Sequence, residues 1–142
     1  MTTSCAFCDG DGGEVLWRDA RCRVVVTTEP FPGFCRVIWN EHVREMTDLS
    51  ALNRAHLMDV VYAVESALRA RLTPTKMNLA SLGNQTPHVH WHVIPRFADD
   101  SHFPNPVWAP RERDAAPRAL PDDFVTALAG DLAAMLGAST AR

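Results

Sequence analysis

Three histidines alternate with apolar residues in the segment Pro87-His88-Val89-His90-Trp91-His92-Val93-Ile94-Pro95. Successive side chains of a β-strand point to opposite faces, so His88, His90 and His92 are predicted to share one face. The outer imidazoles then lie about 7 Å on either side of the middle one. Such a row can consist of ordinary surface histidines, can hold a catalytic metal ion, or can place a nucleophile between two assisting groups.

The two N-terminal cysteines, Cys5 and Cys8, have the spacing of half a zinc site. A redox dithiol has the same spacing, but it normally follows a strand at the start of a helix, and the pair can also have no special role. Cys22 and Cys35 lie in apolar runs and are predicted to be buried core residues. A disulfide framework is not expected, because the sequence shows no secretory signal.

The composition predicts one globular domain over residues 1–142, with 46% hydrophobic residues, 22% charged residues and a formal net charge of −3. No apolar run approaches the about 20 residues that a membrane helix needs, and the N-terminus lacks the basic and apolar regions of a secretory signal. The protein is therefore predicted to be cytoplasmic. The mildly acidic balance does not favour binding to nucleic acid or to an anionic membrane, so neither is a predicted partner.

Hydrophobic patterns predict the elements that must position these residues. The predicted elements are strands over 23–28, 34–39, 76–82 and 88–95 and helices over 49–72 and 122–136. The turn Pro30–Gly33 joins the first two strands into a hairpin, and Thr47 or Asp48 is the predicted cap of the first helix. Residues 98–121 are rich in proline and charge and are predicted to form a long loop. This order, with short connections, predicts an antiparallel α+β fold.

The residues around the histidine row resemble the signature of the histidine-triad (HIT) superfamily of nucleotide hydrolases and transferases. The resemblance rests on the run Gly83–Arg96 (GNQTPHVHWHVIPR) and extends to Arg21-Cys22, Val37–His42 (VIWNEH) and Asp48-Leu49. It covers the region from about residue 5 to residue 97. It implies a HIT-like fold, an antiparallel sheet of about five strands with one long central helix and a C-terminal helix.

The resemblance also implies a role for each matching residue. The middle histidine of the family is the nucleophile, so His90 would attack the α-phosphorus of a nucleotide. The covalent nucleotidyl-imidazole would then be cleaved by water or by another acceptor. His92 would hydrogen-bond a phosphoryl oxygen or the leaving group. The substrate-binding amides of the family match Asn84 and Asn78, and Gln85 stands where a short polar donor follows the first amide.

Elementary chemistry supports these roles. A nucleophilic histidine must be neutral, and neighbouring imidazoles lower the pKa of the central one by disfavouring its protonation. Asn78, Asn84, Gln85 and His92 can donate hydrogen bonds to phosphoryl oxygens. The sequence has no Walker-type phosphate loop, and Lys76 is its only lysine, so a P-loop mechanism is excluded.

Several HIT branches bind zinc through two cysteines and two histidines. By this resemblance, Cys5, Cys8, His42 and His88 form a closed tetrahedral site for a structural Zn²⁺ ion. The ion would attach the N-terminal segment to the strand that carries His90, and its charge would oppose protonation of that imidazole.

The resemblance implies a nucleotide hydrolase that acts on dinucleoside polyphosphates, such as diadenosine tetraphosphate, or on nucleoside phosphoramidates. Two alternatives stay open. One is a transferase that passes the nucleotide to phosphate or to a sugar phosphate, and the other is a purine-nucleotide-binding module with little catalysis. Because family members are commonly symmetric homodimers, a homodimer is expected here too.

Two residues beyond the histidine row have alternative interpretations. Arg96 either steers anionic substrate or lies on the surface. Trp108 stacks on a base, covers the pocket, or anchors its own loop. The family has an acidic ribose-binding residue near position 27. The candidates for it are Thr27, Thr28 and Glu29.

Overall fold

The computed structural model describes residues 4–140 of the chain. These residues form five strands and three α-helices, together with a short 3-10 helix, Met46–Asp48, ahead of the longest helix. The elements are α1 Ala6–Asp9, β1 Glu14–Arg18, β2 Cys22–Val26, β3 Cys35–Trp39, α2 Ala51–Leu72, β4 Lys76–Ala80, β5 His90–Arg96 and α3 Phe124–Leu136.

The five strands form one antiparallel sheet in the order β1-β2-β3-β5-β4, so β5 lies between β3 and β4. Ile38 lies opposite His90, and Arg36 lies opposite His92. On the other side of β5, Ala80 lies opposite His92. Directly opposite residues point to the same side of a sheet, and we call this side the histidine face. The predicted α+β fold with an antiparallel sheet of about five strands is confirmed.

The main core lies on the opposite side of the sheet. Val24, Val37 and Val93, one from each central strand, are fully buried there against α2 and α3. The buried residues of α2 recur at helical spacing and are Leu57, Val60, Val61, Ala63, Val64, Ala67 and Leu68. None of the helices among the described residues has the length and apolar character needed to cross a membrane.

The start of α2 differs from the prediction. Ser50 is its N-cap, and the Ser50 Oγ accepts a hydrogen bond from the backbone N–H of Asn53 at 3.2 Å. The expectation that Thr47 or Asp48 caps this helix was wrong, because both residues lie in the preceding 3-10 helix. There the Asp48 carboxylate accepts from the backbone N–H of Glu45 at 3.3 Å.

The first strand was not assigned to any residues from the sequence. β1 pairs with β2, but its register shifts between Val15 and Trp17. This bulge breaks the alternation of apolar and polar residues by which a strand is recognised in sequence. Trp17 then faces the core, where its indole Nε1–H donates to the carbonyl of Gly137 at 2.9 Å.

The turn between β2 and β3 is present where it was predicted. Gly33 has a φ of +84°, a conformation that side-chain-bearing residues rarely adopt. A Cβ at this position would also lie only 2.8 Å from the Cδ1 of Leu72 at the end of α2. Glycine is therefore required both by the turn and by the close approach of the turn to α2.

The long loop after β5 is anchored by Arg96, which is 1% exposed. Its guanidinium binds Asp100 through two hydrogen bonds, Nε to Oδ2 at 2.8 Å and Nη2 to Oδ1 at 3.0 Å. The Asp100 carboxylate also accepts from the backbone N–H groups of His102 and Phe103. Neither role predicted for Arg96, substrate steering or a surface position, agrees with this burial. Arg96 is a buried residue whose hydrogen bonds to Asp100 connect β5 to the loop.

We predict that Asp100→Asn lowers the free energy of unfolding at pH 7 by about 3 kcal/mol, because it leaves the buried Arg96 charge without its partner. Burial of Asp100 favours a higher pKa, but hydrogen bonds from Arg96 and the backbone outweigh it and hold the pKa at about 2. This lies below the unfolded value of about 3.9, so the stabilisation is present above about pH 4 and is lost as the pH falls towards 2.

Urea unfolding of both forms at several pH values measures this difference. The control is Asp99→Asn, because Asp99 is an exposed neighbour whose contact with Arg118 is 3.3 Å long. Its effect should stay below about 0.5 kcal/mol. Equal stability losses in the two variants would refute the special role of Asp100.

Candidate active site

The histidine row lies where β5 begins. His90 and His92 are the first and third residues of β5, and His88 precedes the strand. Their exposed fractions are 1% for His88, 6% for His90 and 7% for His92. The strand predicted over 88–95 begins two residues late because the backbone of Val89 leaves the ladder, its N–H donating to the carbonyl of Val43 at 2.7 Å. All three histidines are thus buried, and the interpretation of the row as surface histidines is wrong.

The backbone sets the orientation of the His90 ring. The His90 Nδ1 lies 2.6 Å from the carbonyl oxygen of His88. A carbonyl can only accept, so Nδ1 carries the hydrogen and Nε2 carries the lone pair. Phe7 packs edge-on against the ring, with 4.7 Å between the ring centroids. His90 therefore presents an unprotonated Nε2, as a nucleophile requires.

Both strand histidines are neutral at pH 7. Burial lowers the pKa of His90, the hydrogen bond to His88 opposes this, and the charge of Arg36 lowers it further. Burial also lowers the pKa of His92, and His90 and Arg36 add to the effect, giving about 4. Sequence reasoning attributed the neutral state of His90 to neighbouring imidazoles, whereas burial and Arg36 are its causes.

His92 is enclosed by aromatic rings. The centroids of Phe34, His90 and Trp108 lie 5.6, 5.0 and 5.0 Å from its own. Its Nδ1 is buried and has no hydrogen-bond partner among the described residues. An unpaired lone pair is better tolerated there than an unpaired N–H, which places the hydrogen on Nε2. His92 can then donate a hydrogen bond from Nε2 to an oxygen of a substrate.

Arg36 is a residue of the site that the sequence analysis missed. It lies on the histidine face directly opposite His92. The signal that could have found it is its position in the 34–39 strand, where Phe34, Arg36 and Ile38 must share one face. A charged residue between two buried apolar ones on that face needs a function or a partner.

The four predicted zinc ligands come together next to the histidine row, where Cys5 packs with Ile38 of the histidine face. The ligand atoms of Cys5, Cys8, His42 and His88 all lie within 4.8 Å of one another. His88 Nδ1 is 3.4 Å from Cys5 Sγ and 3.6 Å from Cys8 Sγ, and His42 Nδ1 is 3.4 Å from Cys8 Sγ. The structure therefore contains a cluster that could hold a metal ion.

The geometry of this cluster fits a tetrahedral ion. Ligand bonds of about 2.0–2.3 Å imply ligand atoms about 3.3–3.8 Å apart, close to the distances observed. The other ring nitrogen of His88, Nε2, lies 2.5 Å from the carbonyl of Trp39. It therefore donates there, which leaves Nδ1 as the lone pair that faces the sulfurs.

The three predicted substrate-binding amides lie on two different segments, β4 and the loop that precedes His88. Asn78 is on β4, opposite Ile94, and its Oδ1 accepts from Arg96 Nη1 at 2.9 Å. Because a guanidinium only donates, this bond directs the amide NH₂ of Asn78 away from Arg96. Asn84 and Gln85 are exposed in the loop that precedes His88. Their role in substrate binding stays a prediction.

Trp108 brings the long loop to the site. Its side chain is half exposed, and its ring contacts the edge of His92. It therefore stands at the rim of the histidine face with one surface open to solvent. Both predicted interpretations, covering the pocket and anchoring the loop, are compatible with this position and stay predictions.

The model of the HIT domain family matches residues 12–99, which is more than half of the chain. The chain belongs to the HIT family. HIT proteins are generally nucleotide hydrolases or transferases, and some only bind nucleotides. The HIT fold of this chain thus implies an activity related to nucleotides. No curated protein matches the sequence significantly.

Solved HIT structures share this fold. A histidine triad protein from Bradyrhizobium japonicum is 25% identical, with a TM-score of 0.70 and coverage of 89% of this chain and 92% of its own. A histidine triad protein from Sinorhizobium meliloti is 23% identical, with a TM-score of 0.69 and coverage of 89% and 91%. A hypothetical histidine triad nucleotide-binding protein from Sulfolobus tokodaii is 18% identical, with a TM-score of 0.62 and coverage of 92% and 91%.

We predict that His92 of this HIT protein titrates with a midpoint of about 4, which NMR of ¹⁵N-labelled histidines would measure. The unfolded value is about 6.5, so between these values the unfolded chain binds more protons than the folded one. The free energy of unfolding must therefore fall as the pH falls from about 6.5 to 4. His92→Gln should weaken this dependence. A His92 titration midpoint near 6.5 would contradict the conclusion that burial, His90 and Arg36 lower its pKa.

Proposed function

We propose that this HIT protein is a nucleotide hydrolase that cleaves its substrate at the α-phosphate through a covalent bond to His90. The observation that carries this proposal is the 2.6 Å contact between His90 Nδ1 and the His88 carbonyl, which leaves the lone pair on Nε2. Burial and the charge of Arg36 lower the pKa of His90, so the ring is in its nucleophilic form at neutral pH.

In the first step, Nε2 of His90 forms a bond to the α-phosphorus and the bond from phosphorus to the leaving oxygen breaks. The leaving group departs with the electron pair of that bond, and the Nε2–H of His92 donates a hydrogen bond to a phosphoryl oxygen or to the leaving oxygen. The NH₂ groups of Asn78, Asn84 and Gln85 would meet the charge on the other phosphoryl oxygens.

In the second step, water attacks the phosphorus and the phosphorus–nitrogen bond breaks. The electron pair returns to His90 Nε2, the proton of the water passes to solvent, and a nucleoside monophosphate leaves. Two easier displacements thus replace one difficult one. If phosphate or a sugar phosphate takes the place of water, the same intermediate gives a transferase, so the acceptor distinguishes these two activities.

We predict that His90→Ala lowers turnover of diadenosine tetraphosphate by about 1,000-fold or more, because it removes the Nε2 that forms the bond to phosphorus. Mass spectrometry of the acid-quenched wild type should show an added nucleoside monophosphate on His90, and the variant should show none. His56→Gln is the matched control, because His56 lies on α2 and pairs with Asp19 at 2.7 Å. A variant lacking His90 that keeps full activity would refute the proposal, and tight nucleotide binding without an adduct would indicate a binding module.

We propose that the Cys-His cluster binds a structural Zn²⁺ ion. Two thiolates and two imidazoles are a closed zinc ligand set with no position for water. When bound, the ion would tie α1, which carries Cys8 and Phe7, to His88. The ring centroids of Phe7 and His90 are 4.7 Å apart, so the bound ion would also hold in place the phenyl ring that packs on the proposed nucleophile.

We predict that the purified protein contains zinc and that Cys5→Ser loses it. The variant should melt about 5 °C or more below the wild type, because bound metal stabilises only the folded state. Elemental mass spectrometry and thermal unfolding measure the two effects. Cys35→Ala is the control, since Cys35 lies in the main core and its loss should leave the zinc content unchanged. Unchanged zinc content and melting temperature in Cys5→Ser would contradict the site.

We also propose that the protein forms a homodimer. Leu52 and Tyr62 on α2 are large apolar side chains with exposed fractions of 80% and 53%, which supports the predicted homodimer. The dimer, the single domain over residues 1–142 and the cytoplasmic location stay predictions.

A further inference from the structure

Arg36 differs from the other described arginines on its side of the sheet in how its guanidinium is partnered. Arg18 pairs with Asp11 at 2.7 Å, and Arg96 binds Asp100 through two bonds. Arg23 donates to four acceptors, the carbonyl oxygens of Phe7, Gly10 and Asp11 and the Oδ1 of Asn40. Arg36 donates one hydrogen bond, from Nη1 to the carbonyl of Gly12 at 3.1 Å. Its Nε is buried without a hydrogen-bond partner among the described residues.

The acid nearest to Arg36 is a weak partner. Glu29 lies 3.6 Å from Arg36 Nη2, beyond hydrogen-bond distance, and its side chain is about half exposed. An ion pair of this length with a half-exposed carboxylate contributes little to stability, so an anion of higher charge could take the place of the carboxylate. Arg36 thus holds a positive charge on the histidine face with a replaceable counterion.

Arg36 also stands at a defined place relative to the nucleophile. It is opposite His92, and His92 is one same-face step of about 7 Å along β5 from His90. The guanidinium carbon lies 5.7 Å from the Phe34 centroid, and Phe34 in turn contacts His92. A phosphorus bonded to His90 Nε2 lies beside His90, whereas Arg36 lies opposite His92, the residue that in the proposed reaction donates to a phosphoryl oxygen or to the leaving oxygen.

We infer that Arg36 forms an anion subsite for the phosphates that are not transferred, so that the protein favours substrates whose leaving group is a polyphosphate chain. The inference rests on the proposed function. The guanidinium remains charged at neutral pH and presents a planar set of donors, which suits several phosphate oxygens better than a lysine does. A substrate with a single phosphate, such as a nucleoside phosphoramidate, has nothing to place in this subsite.

The simplest test is direct binding of inorganic tripolyphosphate, measured by isothermal titration calorimetry at fixed low salt. We expect Arg36→Met to weaken binding about 10- to 100-fold, the size of a lost charge-assisted contact, and Arg36→Lys to weaken it less. Glu29→Gln should strengthen binding, because it removes the competing carboxylate. The control Arg71→Met removes the same charge from the α2–α3 surface, where Arg71 pairs with Asp131, and should bind like the wild type.

Kinetics then separate a subsite from a merely structural arginine. The kinetics are measured at about pH 8.5, where an ordinary histidine with a pKa of about 6.5 is neutral, so the effect of Arg36 on the His90 pKa does not contribute. There, Arg36→Met should lower kcat/KM for diadenosine tetraphosphate about 10- to 100-fold, whereas for adenosine phosphoramidate the change should stay within about threefold. If Arg36→Met lowered kcat/KM equally for both substrates and left tripolyphosphate binding unchanged, the subsite would be overturned. Arg36 would then have only a structural role in the site. Thermal unfolding of both methionine variants checks that they fold.

The binding test decides the inference even if the proposed function fails. If the wild type turns over neither substrate, the hydrolase proposal is refuted, while the effect of Arg36→Met on tripolyphosphate affinity still decides the subsite. Failure of the wild type to bind tripolyphosphate, or equal affinity in wild type and Arg36→Met, would overturn the inference.

Discussion

His88 is the residue on which the rest of the site depends, because it makes three different contacts at once. Its Nε2 donates to the carbonyl of Trp39 on β3, and its Nδ1 faces the sulfurs of Cys5 and Cys8. Its own carbonyl accepts from Nδ1 of His90. One residue thus connects the sheet to the N-terminal segment and also sets the tautomer of His90. A change in the His88 backbone would alter the hydrogen bond that leaves the lone pair on His90 Nε2.

The site places neutral imidazoles beside a cation. Burial alone would favour uncharged histidines, and Arg36 adds a positive charge that disfavours a second one nearby. The same charge attracts the phosphate oxygens of a substrate. In the proposed reaction, this partly buried arginine would therefore have two roles, because its charge adds to burial in lowering the pKa of His90 and would also bind phosphates that are not transferred. The alternating pattern of β3 and β5 makes this possible, since it sets the guanidinium opposite His92.

The fold and much of the site follow from local sequence features. The α+β class, the hairpin, the long helix and the shared face of His90 and His92 depend on periodicity that one strand or helix shows by itself. The gathering of Cys5, Cys8, His42 and His88 was implied only by the family resemblance. The predictions of the α2 cap and of the first strand failed because adjoining structure determined both. Ser50 caps α2 because a 3-10 helix precedes it, and a bulge hides β1.

The sequence by itself determined which residue types alternate, and hence that histidines share one side of a strand with apolar residues on the other. Only the tertiary structure decided what those side chains meet. Arg96 and Arg36 look alike in the sequence, yet Arg96 is bound by Asp100 through two hydrogen bonds. The Nε of Arg36, opposite His92, has no hydrogen-bond partner within residues 4–140. The physical reason is that the charge state and partners of a buried group depend on neighbours from other strands and loops, and these are set by sheet order and register.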